Sequence, residues 1–160
     1  NLDKPLTQAH KDYLTKFSET RRMQRKQSVA ATMDDPVRIA AGLPIGSEGA
    51  YFVGGLGYLG QDSDDSVVDS NRSPSGQPGL WCQWIPTNDG TAIVWDGGEK
   101  FYEYVDWIDY LVEHFLKPWG YTLNGEVYWS GEENGDLGRI QIKNNVMKVN
   151  AARIVYDDAE

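Results

Sequence analysis

The stretch from Gly98 to Trp129 constrains the fold more than any other part of the chain, because its pattern is that of an amphipathic helix followed by a strand. Pro118 and Gly120 end the helix, since proline cannot continue a helix. Seven apolar side chains recur at helical spacing and form one stripe that can pack against a sheet: Phe101, Tyr104, Val105, Ile108, Leu111, Val112 and Phe115. The pattern therefore predicts a helix that supports a sheet.

Acidic side chains follow the side of this helix that faces away from the apolar stripe. They are Glu99, Glu103, Asp106, Asp109 and Glu113. Trp107 lies beside them and off the stripe, so we expect its side chain to be exposed. An exposed tryptophan surrounded by carboxylates is typical of an anchor for a protein partner. These six residues are the predicted partner-binding site.

The first part of the chain predicts a helix over residues 6–23, because Thr7 can cap it and apolar side chains follow at helical spacing. Its basic end, from Arg21 to Lys26, suits the negative end of the helix dipole, and we expect it to be solvated. Residues 27–79 are rich in glycine and proline and predict an irregular insertion with one short helical turn near 35–41. Insertions of this length are typically functional or mobile.

Residues 80–156 predict a core with the order β-β-α-β-β-β. Its first two strands, 80–85 and 91–95, are joined by a loop with Asp-Gly turn chemistry. In the strand after the helix, Val127 and Trp129 share one face.

The clearest hairpin joins residues 139–143 to 146–149 through a two-residue Asn144-Asn145 turn. This turn pairs Ile142 with Met147 and Ile140 with Val149, so that both apolar pairs lie on one face.

The order of elements predicts a single α+β domain over residues 1–160. We expect an antiparallel sheet of about five strands with two helices on one face and a long Gly/Pro-rich insertion between the first helix and the sheet. If a strand precedes Pro5, the first half follows the split βαβ plan of ferredoxin-like folds.

Charge separates the chain into two parts. The net charge is −9, but residues 1–26 hold seven basic and three acidic side chains, a net +4, so the remainder carries −13. This balance argues against direct nucleic-acid binding, which requires lysine and arginine. No apolar run is long enough to span a membrane. The lone Cys82 excludes an internal disulfide, suits a reducing compartment and is interpreted as a buried thiol.

No constellation of residues identifies a catalytic centre, so the sequence favours binding over catalysis and predicts no cofactor. His10 and His114 have no ligands at metal spacing, since a zinc site needs three or four that converge. Asp62, Asp64 and Asp69 are weak candidates for a metal site, because the glycine and the glutamate of a calcium loop are missing. A solvated acidic loop explains them better.

The pattern EKFY–Y–W–YL–FL-P-GY-LNG-V-W-GE, within Leu80 to Glu133, resembles that of an uncharacterised family of small proteins from actinobacteria and their phages. The resemblance extends through Asp136–Ile140 and more loosely to the first helix and Arg21-Arg22-Met23. It implies a short strand ahead of Pro5. We expect a location in the cytoplasm of a bacterial host cell, since the lone Cys82 suits a reducing compartment. The resemblance implies no activity and no functional residues.

These features lead to three hypotheses. The first is an acidic protein-binding module, specifically a phage-encoded inhibitor of a host defence or nucleic-acid-handling protein, similar in kind to an anti-CRISPR protein. Its helix-face carboxylates would imitate phosphates. The second is a structural component of a phage particle. The third is a small-ligand or metal-binding enzyme that uses the insertion as a lid. In the first two the partner is a host or particle protein, and the sequence leaves the oligomeric state open.

Overall fold

The computed structural model describes residues 1–55, 57 and 60–158, and this part of the chain forms an α+β fold. Four α-helices and seven strands occur within it. The helices are α1 (Gln8–Ser18), α2 (Gln27–Ala30), α3 (Pro36–Ala40) and α4 (Tyr104–Leu111). The strands are β1 (Gln24–Arg25), β2 (Val67–Asp69), β3 (Trp84–Pro86), β4 (Ile93–Trp95), β5 (Gly125–Ser130), β6 (Leu137–Lys143) and β7 (Val146–Ala151).

The predicted α+β class is confirmed, but the expected single sheet of about five strands is wrong. The strands form three antiparallel sheets, ordered β1-β2, β3-β4 and β5-β6-β7. The last two stay separate because no main-chain hydrogen bond among the described residues joins β4 to β5. Where the split βαβ plan requires a strand before Pro5, the described chain has one isolated antiparallel bridge, between Leu2 and Leu123.

Helix α1 begins as the sequence indicates but ends five residues before the expected residue 23. The Thr7 hydroxyl caps it by accepting a hydrogen bond from the His10 N–H at 3.3 Å. After Ser18 the chain leaves the helical path, and the Arg22 N–H donates to the Leu80 carbonyl at 2.9 Å. Side-chain burial explains this early end, since a longer helix would not bring Arg22 to its inward position.

The expected solvation of the basic segment is wrong for two of its arginines. Arg22 and Arg25 are 2% and 3% exposed. The Arg22 guanidinium donates to the Phe52 and Ala50 carbonyls, each at 2.8 Å. The Arg25 guanidinium donates to the Asp64 carboxylate at 2.8 Å. These bonds satisfy buried charge and tie the basic segment to the part of the chain that follows it.

Residues 27–79 contain short regular elements and contribute to the core. The predicted helical turn near 35–41 is confirmed as α3, and a 3₁₀ turn occupies Ser47–Gly49. Strand β2 pairs with β1, which anchors this segment to the chain after α1. Phe52 and Val53 are at most 1% exposed, so this segment supplies part of the hydrophobic interior.

Helix α4 supports the core as the apolar stripe predicted. It begins at Tyr104, after Glu103 with left-handed backbone (φ 54°), and one π-helical turn continues it over Val112–Leu116. Gly120, with φ 83°, follows the end of the helix. The stripe is confirmed as the buried side, with four side chains at most 3% exposed: Ile108, Leu111, Val112 and Phe115.

The β6–β7 hairpin has the register that the sequence predicts. Ile142 lies opposite Met147, and Ile140 lies opposite Val149. Asn144 and Asn145 have φ values of 50° and 67°, the positive values that a two-residue type I′ turn requires and that asparagine tolerates. Turn chemistry and side-chain alternation therefore specify the same pairing.

Candidate functional site

The structure buries Trp107, and its predicted exposure is wrong. Its side chain is 0% exposed. The indole ring packs edge-on against Phe17 and Tyr110, with centroid distances of 5.9 and 5.6 Å. Because α1 and the segment around Gly79 cover a second side of α4, a position off the main stripe is also interior. Trp107 therefore offers no surface to a partner.

The five acidic residues of the predicted partner-binding site are exposed. They fall into two groups, because Glu99 and Glu103 precede α4 and the other three lie along it. Asp106, Asp109 and Glu113 line one shallow depression of about 410 Å³, together with His114. Glu113 is partly neutralised there, because its carboxylate accepts a hydrogen bond from Lys117 at 2.8 Å.

Desolvation of the His114 imidazole lowers its pKa, although the nearby Glu113 and Asp109 carboxylates act in the opposite direction. Its Nδ1 atom lies 2.8 Å from the Tyr51 hydroxyl. The imidazole also stacks on the Tyr110 ring at a centroid distance of 4.0 Å. These contacts give His114 a structural role at the edge of the depression.

An aromatic site lies elsewhere, between β4 and β5. Here a groove of about 400 Å³ opens between the β3–β4 hairpin and the edge of β5. Its volume and composition are those of protein binding sites, which are typically clefts of roughly 300–1,000 Å³ lined by apolar and aromatic side chains. Most of its walls are aromatic: Trp84, Trp95, Phe101, Tyr104, Tyr128 and Trp129.

Two of these aromatic side chains are open to solvent. Trp95 is 52% exposed and Tyr128 is 69% exposed. The Trp95 Nε1–H donates to Gln83 Oε1 at 3.3 Å, and the Trp129 Nε1–H donates to Asp136 Oδ1 at 3.3 Å. These bonds orient two of the indole rings that line the groove.

Carboxylates occur in the groove lining and at chain positions next to it. Lys100 and Asp136 are its charged lining residues. Five further acidic residues are the immediate chain neighbours of lining residues, and all six carboxylates are exposed: Asp96, Glu99, Glu103, Glu126, Glu132 and Asp136. The lining itself holds one carboxylate and one ammonium group, and the excess of carboxylates at the adjacent chain positions favours a positively charged ligand.

The backbone at one border of the groove is strained. Lys100 and Glu103 have φ values of 55° and 54°, in a region that costs a non-glycine residue about 1–2 kcal/mol. Lys100 directly precedes Phe101 and Glu103 directly precedes Tyr104, and both of these rings line the groove. Strain of this kind concentrates at binding sites, where surrounding contacts hold it in place.

The structure gives the weak metal candidates other partners. Asp64 accepts a hydrogen bond from Arg25, and Asp69 accepts one from the Asn71 N–H at 2.9 Å. Asp62 packs against Gly57. Within the ranges that the structure describes, no group of three or more His, Cys, Asp or Glu side chains is arranged to hold a metal ion.

The predicted buried thiol is confirmed. Cys82 is 1% exposed, and its burial raises the pKa of the thiol to about 12. The thiolate that a nucleophile requires is therefore scarce at neutral pH.

Sequence reasoning missed the groove, because its residues come from three separated segments. Nothing in the local sequence distinguishes the buried Trp84 from the half-exposed Trp95. One signal was available: the alternation in β5 predicted that Val127 and Trp129 share one face, and both line the groove.

None of the described helices is long and apolar enough to cross a membrane. Comparison of the chain with protein-family models, with curated proteins and with solved structures finds no match. The functional assignment therefore depends on the geometry and charge of the groove and of the acidic helix face.

Proposed function

We propose that this protein is an acidic protein-binding module that captures a positively charged segment of a partner in the groove between β4 and β5. The observation that supports this proposal is the combination of two exposed aromatic side chains, Trp95 and Tyr128, with carboxylates in and next to the groove lining. This proposal keeps the acidic protein-binding module that the sequence predicts. Its aromatic anchor is Trp95 instead of Trp107, because Trp107 is buried.

The two features of the groove serve different steps of binding. Exposed tryptophan and tyrosine are the residue types that contribute most to binding free energy at protein interfaces. A lysine or arginine over the Tyr128 or Trp95 ring would gain about 0.5–2 kcal/mol from the cation–π interaction. The carboxylates act at longer range and accelerate the encounter with a cationic segment at low salt.

One positive side chain of the neighbouring sheet lies close to the groove, because Arg139 on β6 is directly opposite Tyr128. Arg139 is compensated, since its Nη1 atom lies 3.7 Å from the Glu126 carboxylate. Lys143 and Lys148 lie at the hairpin end of β6 and on β7. A cationic segment therefore meets Lys100 as the one uncompensated positive group among the lining residues.

The three more specific hypotheses, a phage-encoded inhibitor, a phage-particle component and an enzyme with a lid, stay predictions. Imitation of nucleic acid by a phage-encoded inhibitor would use Asp106, Asp109 and Glu113, which share one exposed surface. A role in a phage particle, or as an enzyme with a lid, has no specific feature of the described residues in its favour. The groove proposal is therefore tested first.

The test measures the affinity of synthetic peptides with alternating valine and lysine, and of matched peptides in which glutamate replaces lysine. Titration followed by tryptophan fluorescence reports binding directly, because Trp95 lines the groove. We expect the lysine peptide to bind, its dissociation constant to rise with salt, and the glutamate peptide not to bind.

Two variants test the location of the site. Trp95→Ala should weaken binding of the lysine peptide at least tenfold, which corresponds to about 1.4 kcal/mol. Tyr156→Ala is the matched control, because Tyr156 is an aromatic side chain that is 85% exposed and does not line the groove. Equal binding of the lysine and glutamate peptides would reject the proposal, as would full affinity in the Trp95→Ala variant.

A further inference from the structure

We infer that Asn134 is a site of spontaneous modification, at which attack by the Gly135 main-chain nitrogen converts the side-chain amide to a carboxylate. The chain holds two Asn-Gly pairs, Asn124-Gly125 and Asn134-Gly135. The two pairs have the same intrinsic chemistry, but the fold leaves only the second pair free to react. This inference does not depend on the proposed function.

The reaction needs no reagent other than water. The Gly135 nitrogen loses its proton to solvent base and bonds to the side-chain carbonyl carbon of Asn134. This step closes a five-membered succinimide ring, and the amide nitrogen takes a proton from solvent and leaves as ammonia. Water then opens the ring at either carbonyl. One product is aspartate, and the other is isoaspartate, in which the main chain runs through the former side-chain methylene.

The Asn134-Gly135 pair is accessible to water and base. Residues 131–136 connect β5 to β6, and all six are exposed. Among the described residues, neither the Asn134 side chain nor the Gly135 N–H takes part in a hydrogen bond. The nucleophile and the amide that it attacks are therefore both unoccupied.

The main-chain bonds of this turn leave the pair room to move. The Gly131 N–H donates to the Asp136 carbonyl at 2.7 Å, and the Asp136 N–H donates to the Glu133 carbonyl at 3.1 Å. Both bonds span Asn134 and Gly135 without using them. Gly135 has a φ of 95°, and no described atom beyond its chain neighbours lies within 4 Å of the position of an added Cβ. Glycine also has no Cβ to hinder the attacking nitrogen.

The fold holds the Asn124-Gly125 pair in place. The Asn124 Oδ1 atom accepts a hydrogen bond from the Asn144 N–H at 2.8 Å, which fixes the side-chain amide. Gly125 lies opposite Ile142 on β6. The Gly131 N–H bonds on the β6 side, and main-chain directions alternate along a strand, so the Gly125 N–H also points to β6. The nitrogen of this pair is therefore part of the sheet and closed to base.

The two Asp-Gly pairs of the chain are poorer sites, because an ionised carboxylate is a weak acceptor for a nitrogen nucleophile. They are Asp89-Gly90 and Asp96-Gly97. Hydrogen bonds from Thr91 and Thr87 lower the pKa of Asp89 to about 2. The Gly90 N–H is also occupied, since it donates to the Thr87 carbonyl at 2.9 Å.

The modification adds a negative charge next to the aromatic groove. Asp136, two residues after Asn134, lines the groove and accepts a hydrogen bond from the Trp129 Nε1–H at 3.3 Å. The isoaspartate product also lengthens the main chain between Glu133 and Asp136, whose hydrogen bond closes the turn. Fresh protein and aged protein therefore differ in charge and in main-chain geometry beside the groove.

The test is incubation of the folded protein at pH 8 and 37 °C, followed by mass spectrometry of both sites in one sample. Cleavage after glutamate separates the two pairs, because Glu126 and Glu133 lie between them. We expect Asn134 to convert at least tenfold faster than Asn124 and to give both aspartate and isoaspartate. The Asn134→Gln variant should show no conversion at this position, because its longer side chain disfavours ring closure.

Incubation in guanidinium chloride is the matched control, since unfolding exposes both pairs. The two rates should then agree within about threefold. Equal rates at Asn134 and Asn124 in the folded protein would overturn the inference. So would an Asn134 that converts only after unfolding, or a tenfold difference that persists in the unfolded chain, because the fold would then not be its cause.

Discussion

Replacement of Arg22 by methionine tests how the chain around the core is held together. Methionine has a similar length but cannot donate hydrogen bonds. The substitution leaves the Phe52 carbonyl and the Gln77 side-chain carbonyl without their Arg22 donors, whereas the Ala50 carbonyl keeps its hydrogen bond from Gln77 Nε2 at 2.6 Å. It also removes a guanidinium that lies 4.2 Å from the Phe17 ring. The Arg22 guanidinium would then no longer join the segment of Ala50 and Phe52 to that of Gln77.

The size of the effect follows from these contacts. Each buried carbonyl left unsatisfied costs about 1–3 kcal/mol. Relief of the desolvation penalty of a buried cation offsets part of this loss, and the same desolvation lowers the pKa of Arg22. We expect a net loss of about 3 kcal/mol in the free energy of unfolding. For a domain of this size that corresponds to a decrease of roughly 6–12 °C in Tm.

Urea and thermal unfolding, followed by circular dichroism, measure this loss. Arg21→Met is the matched control, because Arg21 is the preceding residue and its guanidinium bonds Ser70 and Asn71 at an exposed site. We expect the control to lose less than about 1 kcal/mol. If Arg22→Met were as stable as the parent protein, the guanidinium would not hold these segments together.

Three further expectations concern the rest of the fold. The Cys82 thiol, whose pKa burial raises to about 12, should react with Ellman's reagent at pH 8 only after urea unfolds the protein. Burial lowers the pKa of His10, so its neutral form contributes stability that is present above about pH 6.5 and is lost on acidification below it; His10→Gln should flatten the dependence of Tm on pH between 7 and 5. Asn145→Ala should cost about 2 kcal/mol in urea unfolding, because the Asn145 side chain bonds the Leu123 N–H and the Tyr121 carbonyl.

Local patterns predicted local structure well, because each depends on neighbouring residues. The α4 stripe and the β6–β7 register follow from side-chain periodicity and from the positive φ values that asparagine tolerates at positions 144 and 145. The extent of α1 was not predictable in this way. It depends on the burial of Arg22 against carbonyls 28 and 30 residues further along the chain.

The candidate site was largely hidden from the sequence for the same reason. A helical wheel assigns Trp107 to the surface, but helix α4 is covered on two sides, which only the tertiary structure determines. Trp95 and Tyr128 lie 33 positions apart, and their approach depends on how the two sheets are placed. The negative charge was visible, whereas its division between helix face and groove was not.

The location of the functional charge is tested most directly by two double variants with equal changes in net charge. Glu99→Ser with Glu132→Ser removes carboxylates next to the groove, and Asp106→Ser with Asp109→Ser removes carboxylates from the face of α4. We expect the first pair to weaken binding of the valine–lysine peptide about fivefold at low salt, and the second to change it less than twofold. A larger loss from the α4 pair would contradict the assignment of the binding site to the groove.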